Sequence, residues 1–279
     1  MEAVNSYYER GPMKSIDKHL CEIIEIKKLN ADIFDMTVNA PEVAALAKPG
    51  QFVHIYIPGH ILRRPISICQ ANKLNGTIRL LFQIRGVGTE ILSRFVRGCY
   101  IDMLGPLGNG FPVFSKDKKV LLVGGGIGVP PLLEVAGFYR EYATVCLGFR
   151  SKEHIILEDD FIGLGAKLLI ATEDGSTGIK GYVSELFDEL SNIECIYACG
   201  PEAMLHTVCS LANKLDIPCY ISLEERMACG MGACLGCACE LLDKKGDSYY
   251  GHVCKDGPVF SYKYIASYAA ENKAREVQA

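Results

Sequence analysis

The sequence lacks a basic surplus, a long apolar run and a secretory signal, and each absence excludes a class of protein. Its 279 residues include 29 Lys+Arg against 33 Asp+Glu, which leaves a formal charge of -4. This balance argues against a general nucleic-acid binder, which needs a basic surface. No apolar run approaches the roughly 18 residues of a membrane-spanning helix, and residues 1–20 contain no apolar signal core. We therefore expect a cytoplasmic protein with no nucleic-acid or membrane partner.

The 13 cysteines do not suit a disulfide framework. Their number is odd and no secretory signal precedes them, which indicates a reducing compartment. Most are scattered through apolar stretches, where a thiol serves as a small buried side chain. Five lie close together near the C-terminus and suggest a ligand set: Cys229, Cys234, Cys237, Cys239 and Cys254.

Three regions of the chain differ in their hydrophobic pattern, and the whole is long enough for two domain cores. Residues 16–114 contain six short apolar stretches separated by Gly, Pro and Asn, which predicts an antiparallel β-barrel or sandwich. Between 115 and 218, strands alternate with helical stretches, which predicts a parallel sheet covered by helices. Residues 219–263 hold the clustered cysteines, and residues 264–279 form a tail that we expect to be a frayed helix.

Four of the clustered cysteines follow the spacing C-x4-C-x2-C-x16-C, namely Cys229, Cys234, Cys237 and Cys254. This spacing is typical of plant-type ferredoxins, whose four thiolates bind a [2Fe–2S] cluster. Gly230, Gly232 and Gly236 would allow positive φ angles and direct backbone N–H groups at the sulfurs. The alternatives are a structural zinc site, whose cysteine spacings are usually short and paired, and unliganded thiols. Cys239 is outside the pattern and is interpreted as a free thiol.

The stretch KVLLVGGGIGVPPLLEV predicts a strand, a tight turn and a helix that begins at Pro130–Pro131. The glycines of the turn are Gly124, Gly125, Gly126 and Gly128. They would let a pyrophosphate approach the helix N-terminus, where free N–H groups and the helix dipole favour anions. No acidic residue ends the next strand, so the plain Rossmann pattern is incomplete. The alternative is a strand–helix turn without a ligand.

A second phosphate site is indicated in the first region. Arg64 lies beside a predicted strand. Gly86, Gly88 and Thr89 then open a predicted helix, with Thr89 as its N-cap. An arginine and a helix N-terminus are both common ligands of pyrophosphate. Either feature alone is consistent with an ordinary turn, and it is their order along the chain that favours a nucleotide site.

The order of these motifs resembles the ferredoxin-NADP reductase superfamily, with R-P-I-S and G-x-G-T in the first region and G-x-G-x-x-P and C-G-P in the second. With LEERMACGMGACLGCACE and HVCKDGPVF added, residues 16–263 are similar to the electron transfer subunits of NAD-dependent dihydroorotate dehydrogenase B. The resemblance implies an antiparallel β-barrel FAD domain over residues 16–114, an α/β parallel-sheet NAD domain over 115–218, and a small C-terminal [2Fe–2S] region over 219–263.

The resemblance also implies an activity and a partner. In the family, an FMN-containing catalytic subunit oxidises dihydroorotate to orotate in pyrimidine biosynthesis, and electrons pass through the [2Fe–2S] cluster and FAD of this subunit to NAD+. A flavin is needed because hydride transfer moves two electrons and the cluster moves one. We expect a heterotetramer with two of each subunit and NADH diaphorase activity of this chain alone. We expect no oxidation of dihydroorotate without the partner, since the sequence offers no second flavin site and no base for a carbon acid.

Site residues are carried over from the family motifs by position, and no catalytic residue is assigned. The flavin ring and ribityl chain are expected to contact Arg64, Pro65, Ile66 and Ser67. The diphosphate is expected to contact Gly88 and Thr89, and the rest of the cofactor is expected to lie along Gln83, Ile84 and Arg85. The family often has Arg where this chain has Gln83. The NAD site is expected at Gly124, Gly126, Gly128, Glu173, Cys199, Gly200 and Pro201, and the cluster at Cys229, Cys234, Cys237 and Cys254.

NAD is expected in preference to NADP. Glu173 and Asp174 follow the stretch KLLIAT, where they would repel a 2′-phosphate and accept hydrogen bonds from free ribose hydroxyls. Against this, Arg150 and Lys152 follow the preceding strand and could bind a 2′-phosphate. A third interpretation is that all four belong to a solvated loop.

Two other functions are open at this point. The small subunit of a ferredoxin- or sulfide-linked NAD(P)H oxidoreductase would have the same domains and a different partner. A zinc-binding assembly module without catalytic activity would use the cysteines but would leave both phosphate sites unexplained.

Overall fold

Six antiparallel strands close into a barrel in the N-terminal part of the protein, whose computed structural model describes residues 17–269. The strands are β1 (Lys18–Lys28), β2 (Ile33–Asn39), β3 (Phe52–Ile55), β4 (Arg64–Asn72), β5 (Thr77–Gln83) and β6 (Tyr100–Leu107). They follow the order β1-β2-β5-β4-β3-β6 around the barrel, and β6 pairs back onto β1. Each strand corresponds to one of the six predicted stretches, so the predicted barrel is confirmed.

Two short helices connect barrel strands: α1 (Pro41–Leu46) and α2 (Val87–Leu92). The α1 helix was not predicted from the sequence. Pro41 is in its first turn, where the missing N–H of proline breaks no intrahelical bond. The α2 helix is the one predicted to open at Gly86, Gly88 and Thr89, and Gly88 is one of its buried residues.

The outer face of β3 and β4 is turned toward the rest of the protein. Successive side chains of a strand point to opposite faces. Val53 and Ile55 accordingly lie in the barrel core, while Phe52 packs into the core shared with the C-terminal region. His54 has the same orientation as Phe52 and pairs across the ladder with Pro65. This face therefore connects the proposed FAD residues of β4 to the cysteine region.

A seven-stranded sheet forms the second layer of the fold. Its strands are β7 (Val120–Gly125), β8 (Ala143–Phe149), β9 (Lys167–Thr172), β10 (Ile179–Lys180), β11 (Cys195–Cys199), β12 (Cys219–Ser222) and β15 (Val259–Ser261). The order is β10-β9-β8-β7-β11-β12-β15, and all neighbours are parallel except β12 and β15. The helices α3 (Leu133–Tyr139), α4 (Glu158–Gly163) and α5 (Glu202–Leu215) connect them. The predicted parallel sheet with covering helices is confirmed, although β10 and α4 were not foreseen.

Two of the predicted helices differ from the expectation. The helix predicted from Pro130 begins as a 3₁₀ turn over Pro130–Leu132, and α3 ends at Tyr139 because Arg140 adopts φ 51°, outside the right-handed helical region. The stretch 181–190 forms a 3₁₀ helix, Val183–Glu189, rather than an α-helix. Its buried residues Val183 and Leu186 are three positions apart, which is the spacing that a 3₁₀ helix places on one face.

The C-terminal region shares its core with the sheet. It contributes β12 and β15 to the sheet and adds a separate hairpin of β13 (Ala238–Leu242) and β14 (Ser248–His252). Leu241, Val253 and Phe260 pack in the same cluster of buried side chains as Ile196 and Phe52. Of the predicted tail helix, residues 266–269 are helical. Residues 270–279, like residues 1–16, lie outside the described part of the chain.

Polar contacts fix the barrel against the sheet. The Glu134 carboxylate of α3 accepts the Ala71 N–H of β4 at 2.6 Å, and burial raises the pKa of Glu134 to about 6. The Arg79 guanidinium donates both to Asp35 within the barrel and to Asp160 of α4. The described residues include no helix with both the length and the apolar character of a membrane span.

Candidate functional site

The four spaced cysteines come together from two segments of the C-terminal region. Cys229, Cys234 and Cys237 lie in the loop between β12 and β13, and Cys254 lies just after β14. The two segments are joined because the Val253 N–H donates to the Cys237 carbonyl at 3.0 Å. Cys237 and Cys254 are buried, whereas Cys229 and Cys234 are partly exposed. The arrangement gives one inner and one outer pair of thiols.

Backbone N–H groups of the loop point at three of the four sulfurs. Cys229 Sγ accepts from Met231 at 3.4 Å and from Ala233 at 3.3 Å. Cys254 Sγ accepts from Gly232 at 3.1 Å, and Cys234 Sγ accepts from Gly236 at 3.4 Å. Such N–H···S bonds are a known means of tuning an iron–sulfur cluster. The loop is thus built around thiolate sulfur.

Two of the three loop glycines adopt the predicted backbone conformation. Gly230 has φ +72° and Gly232 has φ +77°, which L-residues with a side chain rarely adopt. The prediction for Gly236 is wrong, because this residue is absent from the positive-φ residues of the described chain. Gly236 contributes its N–H to Cys234 instead, and an added Cβ would lie 3.5 Å from that sulfur.

The thiols differ in how readily they ionise. Burial acts to raise the pKa of Cys229, but the backbone N–H groups of Met231 and Ala233 and the interaction with Cys234 outweigh it and lower the pKa to about 6. Burial, followed by the neighbouring Cys237, raises the pKa of Cys254 to about 12. A bound metal deprotonates a coordinating thiol outright. The donor set therefore fits a cluster whose positive charge ionises the buried Cys254 thiol.

Among the described residues, no group of three or more His, Cys, Asp or Glu side chains converges as ligands of a single metal ion would. A two-iron cluster does not require such convergence, because each iron takes only two of the four thiolates. Cys239 lies apart from the loop, on β13 opposite Gly251. Burial raises the pKa of its thiol to about 11, and its interpretation as a free thiol stays a prediction.

The proposed FAD diphosphate residues lie in direct contact. A Cβ added at Gly88 would meet the guanidinium of Arg64, which lies over the first turn of α2. The Arg64 guanidinium donates to the Leu62 carbonyl at 2.6 Å, and no acidic partner is recorded for it within the described chain. A Cβ at Gly86 would meet nothing within 4 Å, which leaves space beside the helix start. The Arg64 guanidinium, Gly88 and the open side of Gly86 therefore lie together at the start of α2.

Thr89 is not the N-cap that the sequence predicted. Gly86 occupies that position, with an extended backbone at φ 169°, and α2 begins at Val87. The Thr89 hydroxyl accepts the Arg85 N–H at 2.9 Å and donates to the Gly86 carbonyl at 3.1 Å. The side chain therefore ties the helix start to the end of β5.

The side chains after β5 form a polar network. The Gln83 amide donates to Asp32 at 2.6 Å and accepts from Arg85 at 2.9 Å. Arg85 also lies 3.7 Å from Glu224, just before the cysteine loop. Ile84 lies between Gln83 and Arg85 and is half-buried. Gln83 thus has two protein partners, Asp32 and Arg85.

Arg63, the neighbour of Arg64, has a different environment. Its guanidinium is 2.8 Å from the Asp102 carboxylate of β6 and also donates to the carbonyls of Asp102 and His54. The pKa of Asp102 is lowered because hydrogen bonds from Arg63 and Lys18 outweigh the opposing effect of burial. Arg63 is occupied within the barrel, which leaves Arg64 as the arginine available to a ligand.

The two predicted NAD motifs meet at the carboxyl edge of the sheet. The chain leaves β7 for β8 on one side, while β11 pairs with β7 on the other. Ligands of open α/β sheets bind at such a switch point. A Cβ at Gly128 would lie 2.5 Å from the Cys199 carbonyl, and one at Gly200 would lie 3.0 Å from the Gly125 N. Gly126, at φ +51°, has no atom within 4 Å of an added Cβ and borders open space.

The helix dipole expected beside this turn is weaker than predicted. Residues 126–128 and 130–132 form two short 3₁₀ turns ahead of the seven-residue α3. Pro201 precedes α5, a longer helix of 14 residues, whose first turn lies beside Gly125 through Met204. The α5 N-terminus therefore joins the glycine turn at this edge.

The residues that bear on NAD against NADP lie in two adjacent loops. The Glu173 N–H donates to the Phe149 carbonyl at 3.0 Å, and the Asp174 N–H donates to the Arg150 carbonyl at 3.3 Å. Both carboxylates are exposed. The Ser176 hydroxyl and N–H hydrogen-bond the Asp174 carboxylate and lower its pKa. Glu173 and Asp174, which would disfavour a 2′-phosphate, and Arg150, which could bind one, thus lie on adjacent loops.

His54 is a polar residue that the sequence interpretation missed. It is fully buried, with both ring nitrogens lacking a hydrogen-bond partner among the described residues. Burial lowers its pKa to about 4, against the opposing effect of the backbones of Arg63 and Cys229. The available signal was a single polar residue in the otherwise apolar stretch QFVHIYI, which predicts a buried strand.

Known proteins resemble this chain in both sequence and structure. The family model for the iron-sulfur cluster binding domain of dihydroorotate dehydrogenase B matches residues 224–266. A dihydroorotate dehydrogenase B (NAD(+)) electron transfer subunit of Geobacillus sp. is 39% identical over 247 residues, 85% of this chain and 94% of the relative. The Fusobacterium nucleatum subunit of the same name is 40% identical over 253 residues, 86% of this chain and 95% of the relative. A solved structure of the NADH-dependent reduced ferredoxin-NADP oxidoreductase contains a chain with TM-score 0.78 and 31% identity, covering 91% of this chain and 93% of that one.

Proposed function

This chain belongs to the family of dihydroorotate dehydrogenase B electron transfer subunits, and on that premise we propose that it carries electrons from an FMN-containing dihydroorotate dehydrogenase subunit to NAD+. The complex would convert dihydroorotate and NAD+ into orotate, NADH and a proton, so that two electrons leave one substrate and enter the other. The cofactors of the chain are FAD, a [2Fe–2S] cluster and NAD(H). The observation that carries the proposal is the four-cysteine loop whose backbone N–H groups point at the sulfurs.

The residues divide this work among three regions. When bound, the FAD exchanges a hydride with NAD(H) and single electrons with the cluster. We assign FAD binding to the barrel, residues 16–114, with Arg64 and the start of α2 binding the diphosphate. NAD binding is assigned to the carboxyl edge of the sheet, within residues 115–218. The cluster is assigned to residues 219–263, where Cys229, Cys234, Cys237 and Cys254 supply the ligands.

The purified full chain is expected to act as an NADH diaphorase without its partner. Hydride exchange between NADH and FAD needs only the barrel and the sheet, so an artificial electron acceptor should be reduced by NADH at a measurable rate. The absorption spectrum should show both flavin and iron–sulfur bands. The matched control is dihydroorotate as electron donor, which should give no reduction until the catalytic subunit is added. A spectrum without visible bands would favour the zinc-binding module instead.

The partner decides between this function and its nearest rival. The similarity to a chain of the NADH-dependent reduced ferredoxin-NADP oxidoreductase means that one fold occurs in more than one assembly. We propose that the partner is an FMN-containing catalytic subunit, in a complex with two of each subunit. Co-purification with a tagged chain, flavin analysis of the co-purified subunit and the mass of the complex test this. A co-purified ferredoxin- or sulfide-linked subunit would overturn the proposal.

NADH is expected to be a better substrate than NADPH in the diaphorase assay. Glu173 and Asp174 would repel a 2′-phosphate at the carboxyl edge of the sheet, and a tenfold preference corresponds to about 1.4 kcal/mol of transition-state stabilisation. Comparing kcat/KM for the two nucleotides measures this, and a ratio at or below one contradicts the expectation. The double variant Glu173→Ala with Asp174→Ser should shift the ratio toward NADPH. No shift would mean that these carboxylates do not face the ribose.

A further inference from the structure

The imidazole of His54 lies at the contact between the barrel and the cysteine loop. A Cβ added at Gly230 would lie 2.4 Å from Nδ1 of His54, so the ring is packed directly on the backbone of the turn that follows Cys229. The backbones of Arg63 and Cys229 both lie close enough to act on the ring. His54 is therefore in contact with Arg63 and with the proposed cluster ligand Cys229.

The buried nitrogens of His54 call for an explanation. A neutral imidazole has one N–H donor and one acceptor, and leaving them unpaired in the interior costs stability. A phenylalanine would fill a similar volume without that cost. The neighbouring Phe52 shows this alternative, since its ring packs in the apolar core with Cys237 and Cys254. On the outer face of β3, the cysteine loop is thus supported by the apolar ring of Phe52 and by the polar ring of His54.

We propose that His54 is a positioning residue for the iron–sulfur cluster, which holds the Cys229–Gly230 turn so that the N–H groups of Met231 and Ala233 stay directed at the Cys229 sulfur. This inference rests on the proposed function, because it requires a cluster bound by Cys229. Hydrogen bonds to the sulfurs stabilise the additional negative charge of the reduced cluster. Weakening them lowers the reduction potential of the cluster.

The test measures the reduction potential of the cluster in the full chain loaded with FAD and iron. The variant His54→Phe keeps the ring volume and removes both nitrogens, and with them the electrostatic contact of the ring with the Cys229 backbone. At a fixed ambient potential, its ratio of reduced to oxidised cluster is expected to fall about tenfold, which corresponds to about 59 mV for a one-electron couple. The variant His54→Gln, which keeps a polar donor, should recover more than half of this shift. EPR-monitored redox titration provides the measurement.

The matched control is His19→Gln in the same barrel. His19 bonds the Gly105 carbonyl at 3.0 Å and lies 3.0 Å from Glu42, and both partners belong to the barrel. This variant should leave the cluster potential unchanged. A potential in His54→Phe equal to that of the parent protein overturns the inference. So would an equal shift in both histidine variants, because it would mean a general response of the barrel.

A second measurement covers the case in which His54→Phe does not retain its cluster. Gly230→Ala should speed the release of iron to a chelator, because the methyl group meets the imidazole and the residue is held at φ +72°. In a His54→Ala background the collision is removed and only the backbone strain remains, so the same substitution should have a smaller effect. Equal acceleration in the two backgrounds overturns the contact on which the inference depends.

Different results overturn the proposed function and the role of His54. A parent protein that binds neither iron nor flavin overturns the proposed function and the role of His54 together. A parent protein with both cofactors, combined with an unshifted potential in His54→Phe, overturns only the role of His54.

Discussion

The variant Cys234→Ser should lose its iron and stop passing electrons to the catalytic subunit. Four thiolates hold a plant-type [2Fe–2S] cluster, and a serine hydroxyl is a much poorer ligand for it than a thiolate. The Gly236 N–H, which donates to Cys234 Sγ at 3.4 Å, would also lose its acceptor. Iron content and the iron–sulfur absorption should fall to background, and dihydroorotate-dependent NADH formation by the reconstituted complex should fall with them.

The same variant should still oxidise NADH with an artificial acceptor, because hydride exchange with FAD does not pass through the cysteine loop. Cys239→Ser is the matched control, since Cys239 lies on β13, and it should keep its cluster. Iron lost from the Cys239 variant and retained in the Cys234 variant would show that the ligand assignment is wrong. Loss of flavin together with iron in Cys234→Ser would point instead to a general folding defect.

The variant Arg64→Ala should bind FAD about tenfold to a hundredfold more weakly, as expected for the loss of one charge-assisted hydrogen bond of roughly 1.5–3 kcal/mol. The Arg64 guanidinium lies directly over Gly88 at the start of α2, which is where the diphosphate is proposed to bind. Flavin content per chain and the FAD dissociation constant measure the effect. Iron content should remain largely unchanged, because the cysteine loop belongs to another segment.

Arg94→Ala provides the comparison for Arg64→Ala. Arg94 follows α2 and pairs with Glu90 at 2.6 Å on the exposed surface, so its removal should leave flavin content unchanged. An unchanged flavin stoichiometry in Arg64→Ala contradicts the assignment and favours Arg63 as the phosphate ligand. The ion pair of Arg63 with Asp102 makes that second outcome distinguishable, since Arg63→Ala should also lower the thermal stability of the barrel.

The strands and the cysteine motif could be read from the sequence because their signals are local. Short apolar runs in IFDMTVN and TIRLLFQ mark β2 and β5, which pair along their full length in the barrel. The spacing of the four cysteines is likewise a property of a short segment. The positive φ angles of Gly230 and Gly232 could be predicted from the same segment, because glycine adopts such angles readily.

Two of the features that were missed depend on contacts between distant segments, and the third is a local contact. Thr89 was taken as an N-cap from its residue type, but its hydroxyl bonds the Arg85 N–H and the helix begins two residues earlier. The Arg79–Asp160 ion pair joins residues of the barrel and the sheet, which no local pattern couples. In the sequence, nothing distinguished His54 from an ordinary strand residue, because its contact with Gly230 exists only in the folded chain. Tertiary packing decides Arg79 and His54, whereas Thr89 is fixed by bonds to residues three and four positions away.

After the β13–β14 hairpin the chain returns to the sheet as β15. The cysteine region therefore cannot be removed or transplanted as an independent unit. β12 pairs with β11 before the ligand loop, and β15 pairs with β12 after it, so both ends of the insertion are hydrogen-bonded into one sheet. Phe52 and Leu107 of the barrel pack in the same core as Cys237 and Cys254. Swinging the cysteine loop away would break that core. The cysteine loop is therefore built into the body of the protein, unlike a mobile redox domain that moves between two docking positions.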